Sequence, residues 1–479
     1  MSTYLGLDLG TSSLKAILVD QNEKILAEHT VALSVSRPRD GWSEQAPEDW
    51  DAALREALGA IRAQADCSGL AGIGLSGHMH GATLLDDGGQ PLRPCILWND
   101  TRAAVEAAEM DANPLFRSDT GNIVFPGFTA PKVEWVRRHE PDVFARMAKC
   151  LLPKDYLRFL LTGTYGSEMS DAAGTSWLDP ARRDWSDDLL SVSGLTRDHM
   201  PKLFEGSAPT GTLRADLAAD FGLPLAVVAG GAGDNAAAAV GAGVVNEGQA
   251  FVSLGTSGVL FAANDAYRPD PATAVHTFCH AVPGTWHQMG VVLAAADSLE
   301  WLARLTGKSA AELTAGLGEV RAPGRTLFLP YLGGERTPHN DAQIRGQFLH
   351  LDHATDATEA ARAVLEGVSY AIADCRDALA ATGTRITRAL AMGGGARSDY
   401  WLRLLASLLE FPLDLPQAGE FGAALGAARL GRMAATGEGA EIATQPPIAR
   451  TFRPDPALAA PLKEAHARYR AAYSALKGL

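Results

Sequence analysis

Cysteine is scarce in this chain: five in 479 residues, at Cys67, Cys95, Cys150, Cys279 and Cys375, with no Cys-x-x-Cys pair. That excludes a disulfide framework and a cysteine-based zinc site, and it reads as reduced thiols in a cytosolic protein. Positive charge is short as well, with 42 Lys and Arg against 56 Asp and Glu and a formal net charge of −14. Nucleic acid and anionic membranes are therefore not the expected partners. Long apolar runs are missing. The nearest candidate, Leu225 to Val245, has Asp234 amid glycines and alanines, and a carboxylate at mid-membrane would cost roughly 2.5–3.5 kcal/mol. It reads instead as a strand, a glycine loop and an Ala-rich helix. Asp8 inside the first apolar stretch argues against a secretion signal. No Gly-x-x-x-x-Gly-Lys-Ser/Thr loop occurs, so a nucleotide would need another architecture.

What the chain does contain is one phosphate-loop pattern, twice. Asp8-Leu9-Gly10-Thr11-Ser12-Ser13 follows a short apolar strand near the start, and Ser253-Leu254-Gly255-Thr256-Ser257-Gly258 follows another far downstream. Both return at once to apolar residues, so each predicts a β-hairpin with a glycine and hydroxyl turn. Glycine admits close approach of backbone, and successive N–H groups with Thr or Ser hydroxyls make an anion-binding concavity. The two loops can thus grip one polyphosphate. They differ at one position, Asp8 against Ser253, and a carboxylate beside phosphates makes sense facing a magnesium ion. Lys15 is either a phosphate contact or a solvated strand lysine.

At this length two domains are expected, divided as 1–245 and 246–479. Strands alternate with helices in both, which predicts an α/β fold with a ligand cleft between the halves. Pro47-Glu48-Asp49 opens one helix, and apolar residues then recur from Trp50 to Ile61 at helical spacing.

Three more constellations bear on chemistry. Gly230-Gly231-Ala232-Gly233-Asp234-Asn235 puts a carboxylate at the expected N-cap of the Ala-rich helix. So many small residues exceed what a cap requires, and Asp234 can serve as the base that accepts a hydroxyl proton in phosphoryl transfer. A helix N-terminus and a nearby Mg²⁺ are expected to lower its pKa. Gly77-His78-Met79-His80-Gly81 offers a polar substrate contact at a strand end; two histidines without a third ligand do not make a zinc site. Met392-Gly393-Gly394-Gly395-Ala396-Arg397-Ser398-Asp399 joins a strand to a helix and suits a flat ligand lying against backbone.

In this order the pieces resemble the FGGY family of carbohydrate kinases, and the resemblance spans essentially the whole chain. Gly127-Phe128-Thr129-Ala130-Pro131-Lys132 with Trp135 fits that family's N-terminal signature. Four further stretches resemble the branch acting on xylulose: Trp42-Ser43-Glu44-Gln45, Met79 to Asp86, Ile96-Leu97-Trp98-Asn99-Asp100, and Phe328 to Leu332 with Gly334-Glu335-Arg336-Thr337-Pro338-His339. The resemblance implies two actin-like ATPase (ribonuclease H-like) domains with a cleft between them. It implies phosphorylation of D-xylulose at O5 by ATP with Mg²⁺, or of another ketose or polyol such as ribulose, L-xylulose or arabinitol. A non-enzymatic nucleotide switch of the same fold is the reading from another class. Carried onto this sequence, Asp234 is the catalytic base, with Met79, His80, Asp234 and Asn235 on the sugar. Thr11, Ser12, Ser13, Gly255 and Thr256 take the phosphates, Gly394, Gly395, Ala396 and Asp399 the adenine side, and Asp8 the metal. A homodimer is the family-level expectation. Three departures from the family pattern stand out: Ala232 interrupts a glycine run, His350 stands where glycine is usual, and Ala360 stands where a larger apolar residue is usual.

Overall fold

Seven residues of alternating size, Thr3–Leu9, form the strand (β1) around which the N-terminal unit is built. Its odd residues Leu5, Leu7 and Leu9 enter a core shared with Trp50, Leu54 and Leu58 of helix α1 (Pro47–Gln64). Its even residues Tyr4 and Gly6 meet the helix Ala423–Thr436 on the other face. That is the period-two alternation of a strand buried on both sides. β1 pairs antiparallel with β2 (Ser13–Asp20), which pairs with β3 (Ile25–Ala32), and parallel with β4 (Leu70–Gly77). The strands Val227–Ala229 and Pro209–Thr212 complete the order beyond β4, and Ala232–Gly233 pairs with its end. The helix α2 (Asp234–Gly241) follows directly.

The computed structural model describes residues 2–417 and 422–478. They form two units: Met1–Val245 with Phe278–Trp286 and Gly419–Gln445, and Asn246–Thr277 with His287–Ala418 and Pro446–Leu479. The division at 245/246 read from sequence does not anticipate the two returns to the first unit. Glycines explain the larger one. A Cβ on Gly74 would stand 1.7 Å from Ala427 O, one on Gly6 2.0 Å from Ala424 O, and one on Gly426 1.8 Å from Ala237 O. Bare backbone lets the returning helix lie directly on β1, β4 and α2. Gly74→Ala should therefore lower the thermal midpoint by several degrees, since overpacking a core costs about 1–3 kcal/mol; an unchanged melting curve would contradict this packing account.

The second unit repeats the plan. β5 (Ala250–Leu254) pairs antiparallel with β6 (Gly258–Asn264) and parallel with β7 (Ala389–Met392), which is followed by Leu413–Pro416 and Ile448–Phe452. The five-strand path outward from each hairpin has the same directions in both sheets. The loops after β4 and β7, His78-Met79-His80 and Gly393-Gly394-Gly395, are thus structural counterparts.

One local expectation shifts. The strand expected to begin near Leu225 starts at Val227, and Leu225 is 60% exposed. The polar stretch 177–212 holds short strands and a helix, with Trp177, Trp185 and Leu189 buried. All five cysteines are free and buried. Among the described residues, no helix is long and apolar enough to cross a membrane.

Candidate active site

The turn of the first hairpin closes with Gly10 N–H donating to Ser13 O at 2.9 Å. It is braced from two of the stretches singled out in the sequence. Gln45 Nε2 donates to Thr11 O at 2.7 Å, and Trp98 Nε1 donates to Thr11 Oγ1 at 3.0 Å. Trp98 is otherwise 48% exposed, an unusual position for the largest side chain. The two stretches are tied together: Glu44 and Gln45 pair with Ile96 and Cys95, and buried Arg102 binds both Glu44 (2.7 Å) and Asp100 (2.7 Å). Asp8 lies opposite Lys15 on β2 and Ser76 on β4, and both it and Lys15 are half-buried.

Asp234 is the first residue of α2, with Gly233 rather than Asp234 at the N-cap. Its carboxylate accepts from the backbone N–H (2.7 Å) and side-chain amide (3.0 Å) of Asn235. The helix start by itself does not lower its pKa. Burial of the carboxyl, then the negative charge of Asp8, push it up to about 6, outweighing the two bonds from Asn235. A base must be deprotonated, so kcat/KM for the acceptor should fall about tenfold per pH unit below ~6 and level off above it. A profile flat down to pH 5 would contradict that assignment.

The glycines before Asp234 are spatially required. A Cβ on Gly231 (φ +84°) would stand 2.4 Å from Leu75 O, and one on Gly233 2.8 Å from Met79 Cγ. Position 232 alone opens into an apolar cluster with room for a methyl, so the alanine there leaves the backbone path unaltered. His350, another departure, has φ +59°, the left-handed conformation that explains why glycine is usual.

Met79 is buried against Gly233, next to Asp234, so the Met79 loop and the carboxylate come together. His80 (φ +70°) stacks on Phe128 at 4.5 Å, and its Nδ1–H donates to Gly174 O at 2.8 Å. In a neutral ring Nε2 is then an acceptor, suited to a hydroxyl. Lys132, fully buried, donates to His80 O (2.9 Å) and Gly127 O (2.7 Å), while Thr129 Oγ1 donates to His80 O as well. Desolvation drives the Lys132 pKa down to about 7. The signature lysine therefore holds the His80 loop, a role its spacing did not reveal. His78 is different: it is buried edge-on to Trp50, its ring nitrogens have no hydrogen-bond partner, and desolvation keeps it neutral with a pKa of about 3.

Behind Gly233 lies a closed ionic cluster. Lys154 Nζ is 2.5 Å from Asp155, 3.6 Å from Asp171 and 3.7 Å from Glu168, and none of the four side chains is exposed. Glu168 accepts from the N–H groups of Ser170 and Asp171 and from Ser170 Oγ, which in turn accepts from Gly233 N–H at 3.1 Å. Burial raises the Asp171 and Glu168 pKa values.

In the second unit, Gly255 and Thr256 form the turn between β5 and β6. Of the three glycines after β7, only Gly394 faces open space; Gly393 and Gly395 pack on Leu254, and Gly395 also on Trp401. Ala396 is buried, and Asp399 is paired with Arg450. These glycines serve packing first, and Gly394 alone leaves backbone bare.

A duplicated hairpin sheet carrying a carboxylate at a helix start defines a class of phosphotransferase, and the comparisons identify it. Residues 3–241 match the N-terminal domain of the FGGY family of carbohydrate kinases, and residues 250–435 its C-terminal domain. The chain belongs to the FGGY family of carbohydrate kinases and has its two-domain, actin-like ATPase fold. It is 49% identical to the xylulose kinase of Klebsiella pneumoniae over 99% of each chain, and 49% identical to that of Escherichia coli over 94% of each. Among solved structures, a "xyloylose kinase" from Brucella ovis superposes with a TM-score of 0.97 at 57% identity, over 99% of both chains.

Proposed function

We propose that this carbohydrate kinase transfers the terminal phosphoryl group of ATP to O5 of D-xylulose, giving D-xylulose 5-phosphate and ADP. Relatives named xylulose kinase, at 49% identity over nearly the whole chain, support the substrate. The observation that carries the chemistry is the Asp234 carboxylate, half-buried at the head of α2 beside Asp8 and the Met79 loop. With a pKa near 6 it is ionised at neutral pH yet more basic than a solvated aspartate. It orients the attacking hydroxyl and takes its proton, while Met79, His80 and Asn235 contact the sugar. Thr11, Ser12 and Ser13 of one loop and Gly255 and Thr256 of the other bind the phosphates. Gly394, Gly395, Ala396 and Asp399 line the adenine side.

Magnesium favours carboxylate, water and phosphate oxygens. Asp8 offers such an oxygen, close enough for its charge to act on Asp234, whereas the matching Ser253 does not. Held there, the ion would offset phosphate charge. Asp8→Asn should raise the Mg²⁺ concentration needed for half-maximal rate several-fold, and an unchanged titration would remove Asp8 from the metal role.

The alternative reading is a kinase for another ketose or polyol, such as ribulose, L-xylulose or arabinitol. A panel of pentuloses and pentitols in an ADP-release assay decides between them: D-xylulose should have the highest kcat/KM, and a higher value for any other acceptor would overturn this choice.

A further inference from the structure

The stretch Gly334-Glu335-Arg336-Thr337-Pro338-His339 has no part in the chemistry above. Its hydrogen bonds show what it does. Thr337 N–H donates to Val291 O and Val291 N–H donates to Thr337 Oγ1, each at 3.1 Å. Glu335 Oε1 accepts from Leu293 N–H at 3.0 Å and from Arg336 N–H at 2.7 Å. The strap is thus laced to Val291–Leu293, two residues before helix α3 (Ala296–Thr306) begins. The first N–H groups of a helix have no partner within it, and here they go to the second phosphate loop. Ala295 N–H donates to Thr256 O at 2.8 Å, Ala296 N–H to Gly255 O at 2.9 Å, and Asp297 N–H to Thr256 O at 3.4 Å.

Peptide planarity gives these contacts a consequence. In a trans peptide, the carbonyl of one residue and the N–H of the next point in opposite directions. Pinning the carbonyls of Gly255 and Thr256 to α3 therefore turns the N–H groups of Thr256 and Ser257 away from it. Successive N–H groups aimed outward are what an anion-binding turn consists of.

We propose that Glu335 is a positioning residue for the nucleotide: through Leu293 and the start of α3 it sets the orientation of the Gly255–Thr256 loop. Its carboxyl is 2% exposed, and Oε2 has no hydrogen-bond partner. Burial pushes its pKa up to about 8, so at neutral pH it is a neutral acceptor that a glutamine amide can mimic. The proposal rests on the reading that this loop binds phosphate.

The test is steady-state kinetics of Glu335→Ala, Glu335→Gln and Thr256→Val in the full chain, varying ATP and sugar separately. Glu335→Ala is expected to raise the KM for ATP about tenfold, on the order of the 1–3 kcal/mol attached to buried unpaired N–H groups, with the KM for sugar unchanged. Glu335→Gln is expected to restore the KM for ATP, because its carbonyl still accepts from Leu293. If Glu335→Ala does not fold, Thr337→Val, which removes one lace at Val291, is expected to shift the KM for ATP in the same direction by a smaller factor. Equal changes in both KM values, or a glutamine variant as impaired as the alanine one, would overturn the proposal. A raised KM for ATP in Thr256→Val with Glu335→Ala unaffected would overturn the positioning role alone. No effect in Thr256→Val would instead overturn the phosphate-loop reading beneath it.

Discussion

Asp234→Asn is expected to lower kcat by about 10²–10⁴-fold, the share a general acid–base group ordinarily supplies. The amide keeps the acceptor oxygen that Asn235 holds, so the head of α2 is unchanged in shape. What is lost is the ability to take a proton. Binding of ATP should not weaken, because the substitution removes one negative charge beside Asp8. Stability provides an independent check. A carboxyl whose folded-state pKa is raised destabilises the folded state once pH exceeds its unfolded value near 4. At pH 7.5 the asparagine variant should therefore melt no earlier than the parent chain. A folded variant with near-parental kcat, measured by ADP release, would remove Asp234 from the reaction.

Methionine at position 154 has the second large effect, on stability rather than rate. Lys154 is the cation paired with Asp155, Glu168 and Asp171, and none of the four side chains is exposed. Methionine approximates its volume but supplies no charge. Removing one partner of a buried ion pair costs about 3–5 kcal/mol, because the remaining charge stays buried without compensation. The consequences reach the site, since Glu168 holds Ser170 and Ser170 holds Gly233. Thermal unfolding of Lys154→Met at pH 7.5 should show a midpoint lower by ten degrees or so. Burial raises the pKa values of Glu168 and Asp171, so their protonation relieves uncompensated charge and the deficit should shrink as pH falls from 7.5 toward 5. A variant as stable as its parent at pH 7.5 would show that the cluster is not held by that lysine.

Local patterns were the legible part of this protein. Both hairpins announce themselves through Gly-Thr-Ser turns between apolar runs, and Asp234 stands out after small residues that a helix cap alone does not need. The helix Ala423–Thr436 illustrates the opposite case. Its small residues are visible in the sequence, but that they face Gly6, Gly72 and Gly74, far earlier in the chain, is not. Nor were His276–Cys279, Trp286–Val292 and the helix Pro456–Leu476 singled out. Direction of charge effects was equally hidden. A helix start and a metal argued for a lowered Asp234 pKa, yet burial and Asp8 raise it, and burial cannot be read from spacing. Lys132 and Glu335 belong to recognisable stretches, but their partners are backbone groups, which carry no sequence signal.

The most direct test of the account is the initial rate of ADP formation from MgATP with and without D-xylulose, followed to completion with the product's phosphate located by NMR. The account predicts ADP formation that depends on the sugar and matches it one for one, with the phosphate on O5. ADP released at the same rate without sugar, or a phosphate on any other oxygen, would contradict it.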